Sequence, residues 1–243
     1  MYHDMGLIGT ALLPLAVGIP AVLLDTMRFV RDPLSWPLAM ARYRATCSGG
    51  PDFAYRMLVD RHDPARLEGA DLSNWRVAFN GSEPVSAATM NRFAELYQPY
   101  GFRASAFYPC YGLAEATLFV SGPAPGTGFP SRDVSRAALQ TGLLAPDPGG
   151  QDTDAVTIVS SGAEAQDTRV VIRRPDATSP HPVKSVRSVC DRRPSPTGTG
   201  HAARTTPGSS ATRSRARTVV SCAPATSVRC STASSTSSAG RRT

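Results

Sequence analysis

Short apolar segments and amphipathic segments alternate along the first half of the chain. Residues 76–79 predict a short buried strand, and the Asn80-Gly81 pair that follows them is typical of a turn. Pro84 suits the first turn of a helix, and residues 85–97 then carry apolar side chains at helical spacing. Two further stretches predict helices, residues 33–43 and 51–59. This alternation indicates an α/β fold in which helices flank a mostly parallel sheet.

The loop after the predicted strand is a candidate binding loop, because open α/β sheets bind ligands beyond the carboxyl ends of their strands. It contains Gly81, Ser82 and Glu83. A second candidate lies at residues 108–117, where a Tyr-Gly turn stands close to Glu115. An aromatic ring can stack on a base, a glycine lets the backbone approach a phosphate, and a glutamate can hold Mg²⁺. Each feature also has a plain structural explanation, as a turn or as a solvated helix residue.

Residues 6–24 are almost all apolar, a pattern also found in membrane spans and signal peptides. No Lys or Arg precedes them, and three glycines and two prolines interrupt them. We therefore predict a short helix, a Gly-Ile-Pro turn and a buried strand at residues 21–24, with no membrane span.

The charges divide the chain near residue 182. Residues 183–243 hold 11 of the 26 basic residues but only one of the 19 acidic residues, Asp191. They contain no Leu, Ile, Met or aromatic residue, so they offer little apolar surface to offset the entropy of folding. We predict that this segment is a disordered basic tail. Taken alone, such a tail favours contact with nucleic acid or with a membrane.

Three segments, in this order, resemble the adenylate-forming (AMP-binding) enzyme superfamily, and above all its fatty-acyl-AMP ligase branch. They read YHDMGLIG from residue 2, RVAFNGSEPV from residue 76 and FYPCYGLAEAT from residue 107. The resemblance covers roughly residues 1–182 and identifies them as part of an adenylation domain. Because the three motifs occur in family order, the plain structural explanation of each motif loses weight.

The resemblance implies that a fatty acid and ATP with Mg²⁺ react to give an acyl adenylate and pyrophosphate. The acyl group then passes to the phosphopantetheine thiol of an acyl carrier protein or of a polyketide synthase carrier domain. The resemblance also implies a cytoplasmic enzyme of fatty acid metabolism that has no nucleic-acid partner.

The same resemblance assigns roles to particular residues. Glu115 would bind Mg²⁺, Thr117 would contact a phosphate or the metal, and His3 would lie near the reacting carboxylate. Residues 5–9 would lie near the acyl tunnel. The nucleotide-binding candidates are an adenine-side loop, formed by Gly81, Ser82, Glu83 and Pro84, and a second group beside the adenine and α-phosphate, formed by Tyr111, Gly112, Leu113 and Ala114.

The sequence departs from the family pattern in several places. Ala114 stands where many members of the superfamily have Thr, and Ser82 stands where Ala is common in the branch. The family's phosphate loop and lid lysine are not among the 243 residues, and Thr226 stands where the ribose-binding aspartate is expected. We therefore expect a central fragment that is inactive by itself. The alternatives are a non-catalytic nucleotide- or acyl-binding remnant and a basic-tailed nucleic-acid binder.

The tail itself has a further interpretation. In a shifted reading frame, codons for the segments that start at Ser185, Pro196 and Ser221 permit Gly-Glu-Ile, Asp-Gly-Tyr-Trp and Leu-Arg-Thr-Gly-Asp-Leu. These are the next three family landmarks, in order. We therefore hypothesise that residues 183–243 are an out-of-frame translation, with the shift near Pro182.

Overall fold

The computed structural model describes residues 3–140, 155–166, 168–173, 187–191 and 218–221. The strands of this part of the chain are β1 (Ala21–Leu24), β2 (Cys47–Gly50), β3 (Val77–Asn80), β4 (Phe107–Pro109), β5 (Tyr111–Gly112), β6 (Phe119–Gly122), β7 (Ser131–Ser135), β8 (Ala155–Val159), β9 (Ala163–Glu164), β10 (Arg169–Arg173), β11 (Arg187–Asp191) and β12 (Thr218–Ser221). The main sheet has the order β1-β12-β2-β3-β4, and its neighbouring strands all run parallel. The predicted α/β class is confirmed.

The helices of the described residues begin with a π-helix, Met5–Leu12, and continue with α1 (Leu13–Val17), α2 (Thr26–Arg31), α3 (Ser35–Tyr43), α4 (Asp52–Asp60), α5 (Ala87–Tyr97) and α6 (Arg136–Gln140). Short 3-10 turns lie at Gln98–Tyr100, Ala104–Ala106 and Ala114–Ala116. The structure confirms the three helices predicted for residues 33–43, 51–59 and 85–97. The last of these starts after Ser86 rather than at Pro84, because the Ser86 hydroxyl accepts a hydrogen bond from the Thr89 amide at 3.2 Å and caps the helix.

Buried aromatic side chains join the helices to the main sheet. Trp36 of α3 lies 5.3 Å, centroid to centroid, from both Tyr55 of α4 and Trp75. Tyr55 lies 5.3 Å in turn from Phe93 of α5. The two indole N–H groups donate to Ser48 in β2, that of Trp36 to Oγ at 2.9 Å and that of Trp75 to the carbonyl oxygen at 3.2 Å. These contacts fix α3, α4 and α5 relative to β2.

Residues 6–24 form the predicted sequence of helix, turn and strand. Gly18 ends α1 with a φ of 67°, in the left-handed region that favours glycine, and β1 follows. The expectation that this strand is buried was wrong, because β1 is an edge strand and the side chain of Leu23 is half exposed. No helix of the described residues is long and apolar enough to cross a bilayer.

Two segments of the region 183–243 are strands, which differs from the predicted disorder. β11 pairs antiparallel with β10, and β12 lies between β1 and β2 in the main sheet. Short runs of β-branched residues, such as Thr218-Val219-Val220, favour strands although these residues have no large side chains. The overall composition of the region does not reveal such runs. The other residues of this region lie outside the described part of the chain. For them the disorder, the domain boundary at residue 182 and the frame-shift hypothesis stay predictions.

Candidate functional site

The segments that the sequence selected meet beyond the carboxyl ends of β3 and β4. Gly81 follows β3 and packs against Cys110, which follows β4. A Cβ at Gly81 would lie 2.6 Å from the carbonyl oxygen of Cys110, so only glycine allows this approach. Ser82 contacts the π-helix, since its Oγ lies 3.9 Å from Sδ of Met5. These contacts connect all three motifs at the edge of the sheet where α/β proteins bind ligands.

The N-terminus of α4 anchors the candidate adenine loop. Oε1 of Glu83 accepts a hydrogen bond from the Phe53 amide at 2.6 Å. Oδ1 of the buried Asp52 accepts hydrogen bonds from Nδ2 of Asn80 at 3.1 Å and from the Ser86 amide at 3.0 Å. Asp52 therefore holds both ends of the loop against α4, and Glu83 holds its middle.

Asp52 is a residue of the site that the sequence analysis missed. The available signal was an acidic residue directly after Pro51, in the first turn of a predicted helix. Its Oδ2 lies 3.7 Å from the guanidinium of Arg56 one turn further along α4. Its contacts with the candidate loop could not be read from the sequence, because they join residues about thirty positions apart.

The four predicted residues of the adenine-side loop differ in whether they face solvent or the protein. Ser82 and Pro84 are exposed, whereas Gly81 is buried and the Glu83 carboxylate binds the protein itself. Ser82 has a φ of 70°, which is uncommon for a residue with a side chain. The surface that this loop offers to a ligand therefore comes from Ser82, Pro84 and the backbone.

The third motif forms a hairpin from β5 and β6, which pair antiparallel with a bulge between Tyr111 and Gly112. The Leu113 amide donates to the Leu118 carbonyl at 3.0 Å and closes the hairpin. A Cβ at Gly112 would lie only 1.9 Å from the same carbonyl oxygen. Gly9 of the π-helix approaches the Leu118 side chain, so the hairpin also contacts the first motif.

The tip of the hairpin carries Glu115 and Thr117. The backbone at Thr117 forms a γ-turn with a φ of 71° and a ψ of −57°, and the Leu118 amide donates to the Ala116 carbonyl at 2.9 Å. This conformation is rare and strained, and such strain concentrates at ligand sites. Ala114, Glu115 and Thr117 are exposed, so the tip is accessible to a ligand.

The Glu115 carboxylate fits the predicted role of a Mg²⁺ ligand. Within the described residues it has no hydrogen-bond or ion-pair partner, and it stands on the 3-10 turn Ala114–Ala116. That part of the chain contains no group of three or more His, Cys, Asp or Glu side chains that could enclose a metal. This arrangement is compatible with Mg²⁺, which commonly uses one or two protein carboxylates together with water and substrate phosphates.

His3 and Asp4 form a close pair at the start of the π-helix. Nδ1 of His3 lies 2.5 Å from Oδ1 of Asp4, and the same oxygen accepts a hydrogen bond from the Met5 amide at 2.8 Å. The His3 side chain is 36% exposed and that of Asp4 is 12% exposed. Nδ1 also accepts a hydrogen bond from the Met5 amide at 3.2 Å, so contacts at this nitrogen orient the ring and leave Nε2 for a ligand. Because Met5 contacts Ser82, the pair lies at the same end of the site as the adenine-side loop.

The cysteine of the third motif is not an activated nucleophile. Burial, followed by the neighbouring Cys47, raises the pKa of the Cys110 thiol to about 12, so the thiol is neutral at pH 7. Burial likewise raises the pKa of Tyr108, whose ring lies against Gly122. Both side chains are therefore neutral at pH 7, which leaves the carboxylates, the backbone groups and His3 as the candidates for contact with a ligand.

Comparison with known proteins gives matches to one family. The sequence profile of the family described as AMP-binding enzyme matches residues 1–178. The chain is 38% identical over 179 residues to a medium-chain-fatty-acid–[acyl-carrier-protein] ligase, TtuA, of Teredinibacter turnerae. That match covers 74% of this chain and 28% of the relative.

Solved structures give the same result. A crystal structure of a fatty acid AMP ligase from Legionella pneumophila matches with a TM-score of 0.68 and 42% identity, over 72% of this chain and 30% of that one. A fatty acyl-adenylate ligase from the same organism, in complex with acyl adenylate and pyrophosphate, matches with a TM-score of 0.66 and 43% identity over the same shares. The chain thus spans less than a third of the length of each of these three proteins.

Proposed function

This chain belongs to the AMP-binding enzyme family, in its fatty-acyl-AMP ligase branch, and we propose that it supplies the adenine- and metal-binding part of an enzyme that activates a fatty acid with ATP. In that reaction a carboxylate oxygen of the fatty acid attacks the α-phosphorus of ATP. The bond from this phosphorus to the bridging oxygen breaks, and pyrophosphate leaves with the electron pair. The products are the mixed anhydride of the fatty acid with AMP, and pyrophosphate.

The convergence of the three motifs is the observation that carries this proposal. Gly81 packs on Cys110, and Ser82 contacts Met5, so the adenine-side loop, the third motif and the π-helix form one surface. The hairpin tip presents Glu115 and Thr117 on the third motif. A nucleotide bound across this surface would have its base near the loop and its phosphates near the tip.

Each group has a distinct part in the proposed reaction. Glu115 would hold Mg²⁺, which neutralises phosphate charge when it is bound. The exposed backbone at Gly112 would contact the α-phosphate. Thr117 would contact a phosphate or the metal through its hydroxyl. Nε2 of His3 would orient the incoming carboxylate, while Asp4 holds the ring through Nδ1.

The proposed acceptor is the phosphopantetheine thiol of an acyl carrier protein or of a polyketide synthase carrier domain. This assignment rests on relatives that are named as acyl-carrier-protein ligases. We propose further that the protein acts in the cytoplasm and that no nucleic acid is its partner.

A binding experiment on the chain tests the proposal directly. The ¹⁵N-labelled chain is titrated with a non-hydrolysable acyl-sulfamoyl adenosine, and the amide resonances of Ser82, Gly112 and Leu113 are followed. We expect saturable shifts at these positions, and no such shifts with the guanosine counterpart. Shifts confined to other residues, or equal shifts with both compounds, would contradict the proposed site.

A further inference from the structure

A cavity of about 380 Å³ opens at the amino edge of the main sheet, opposite the motif site. Its lining includes Cys47 and Val77, which begin β2 and β3, and Ala106, which directly precedes β4. The turn at Pro125 and Gly126 forms another part of the wall. These strand ends lie roughly 10 Å from the carboxyl ends of the same strands, at about 3.3 Å per residue. The cavity is therefore separate from the candidate nucleotide site.

The charge of this cavity is positive. Arg76 and Arg103 line it, and the described lining includes no Asp or Glu. Neither arginine forms an ion pair with another described residue, whereas Arg66 lies 2.8 Å from Asp32 and Arg92 lies 3.0 Å from Glu95. Two guanidinium groups thus share one concave site, and no carboxylate of the described residues lines it.

The backbone fixes the positions of both arginines. The amides of Arg76 and Val77 donate to the Thr46 carbonyl at 2.8 and 3.0 Å, which holds Arg76 at the start of β3. Nη2 of Arg103 donates to the Ser73 carbonyl at 3.1 Å, which restricts the orientation of its guanidinium. The remaining guanidinium N–H groups can donate to a ligand.

The rest of the lining is compatible with an anion. Thr46 and Ser105 contribute hydroxyl side chains. Burial raises the pKa of the Cys47 thiol to about 11, so at pH 7 this thiol is neutral and adds no negative charge.

We propose that this cavity binds a phosphate group, held between the guanidinium groups of Arg76 and Arg103. A planar guanidinium can donate two parallel hydrogen bonds to a phosphate, and two such groups match the charge of a phosphate dianion. Because Arg76 precedes β3 and Arg103 precedes β4, the bound group would connect two neighbouring strands and stabilise the native sheet. This site is additional to the proposed fatty-acid activation and does not depend on it.

Phosphate titration of the whole chain tests this site. The ¹⁵N-labelled chain is titrated with inorganic phosphate. The sodium chloride concentration is lowered at each step so that the ionic strength stays constant. Screening of the charges in the basic region 183–243 is therefore the same at every phosphate concentration. We expect saturable shifts of the Val77 and Ala106 amides in the millimolar range, with the Gly112 and Leu113 amides unaffected. A shift that grows linearly with phosphate would overturn the proposal.

Matched variants decide whether the two arginines are responsible. The double variant R76Q/R103Q should bind phosphate about tenfold more weakly, because it loses two charged donors. The control R92Q/R132Q removes the same charge from exposed positions elsewhere and should bind like the parent chain. Near-ultraviolet circular dichroism of the buried Trp36 and Trp75 monitors folding. If the double variant fails to fold, phosphate binding is measured for the single variants R76Q and R103Q instead. Unchanged phosphate affinity in both would refute the proposal.

A second titration identifies the source of the phosphate. Glycerol 3-phosphate replaces inorganic phosphate under the same conditions. Tighter binding of the ester by about tenfold or more would indicate that the cavity accepts a small organic phosphate. Equal affinity would indicate a site for free phosphate. If neither compound shows saturable binding, the proposed phosphate site is refuted.

Discussion

The carboxylate of Glu83 accepts a hydrogen bond of 2.6 Å from the backbone amide of Phe53. The donor lies in the first turn of α4 and the acceptor lies in the candidate adenine-side loop. The first amides of a helix have no partner within the helix, and its N-terminus favours a negative charge. Glu83 therefore supplies an acceptor for a helix amide that has no partner within the helix. The same hydrogen bond holds the adenine-side loop against α4.

The substitution Glu83→Ala should lower the free energy of unfolding by about 1.5 kcal/mol, because it removes the acceptor of a charge-assisted hydrogen bond. Glu83→Gln keeps an acceptor oxygen and should lose less than half as much. Urea denaturation measures both. The control Glu95→Ala, at an exposed residue of α5 paired with Arg92, should change stability by about 0.5 kcal/mol or less. Equal losses at Glu83 and Glu95 would show that the Phe53 contact is unimportant.

Asp52→Ala should cost more, about 2–3 kcal/mol, because it leaves the Asn80 carboxamide and the Ser86 amide without their acceptor in a buried place. Asp52→Asn retains an acceptor oxygen and should recover part of the loss. The measurement is urea denaturation together with hydrogen exchange of the Ser86 amide. Unchanged protection of that amide in Asp52→Ala would contradict the assigned contact.

Gly112→Ala should disrupt the hairpin, because the added Cβ would lie 1.9 Å from the Leu118 carbonyl oxygen. We expect the Leu113 amide to lose protection from exchange and the acyl-adenylate analogue to bind at least about tenfold more weakly. Gly50→Ala is the control, since a Cβ there would meet Ala54 at an ordinary contact distance of 3.5 Å. If both variants bind alike, Gly112 is not required for the site.

Glu115→Gln should reduce acyl-adenylate formation far more than Ser82→Ala in an enzyme of full family length that carries this segment. Loss of one group that stabilises charge in the transition state typically costs on the order of 10²–10³ in rate. Loss of an exposed hydroxyl should cost less than about tenfold. Release of pyrophosphate measures both variants. A larger effect at Ser82 would show that Glu115 is not the metal ligand.

Val219→Pro tests the role of β12. Proline removes a backbone donor from a strand that lies between β1 and β2, and we expect a loss of about 3 kcal/mol in unfolding free energy. Stability equal to that of the parent chain would support the disorder that the composition predicts for residues 183–243.

The candidate site shows where sequence reasoning reaches its limit. The motifs selected Gly81, Gly112 and Glu115. In the structure both glycines lie where the backbone approaches another segment closely, and Glu115 lies on the 3-10 turn of the hairpin tip, while their roles stay predictions. Glu83 was expected in the adenine-side loop, and the structure adds that its carboxylate accepts a hydrogen bond from the Phe53 amide. Asp52 was not selected at all. Both outcomes depend on contacts between residues about thirty positions apart, which local spacing does not encode.

The sequence by itself determined the α/β class, the helices α3, α4 and α5, and the order of the three motifs, because hydrophobic spacing and turn residues act locally. Only the tertiary structure decided which way each loop side chain points, that β1 is a half-exposed edge strand, and that β12 lies inside the main sheet. It also placed Arg76 and Arg103 on one cavity at the amino edge. These features depend on packing and strand pairing between distant segments, where the free energy of the whole fold outweighs the preference of any short stretch.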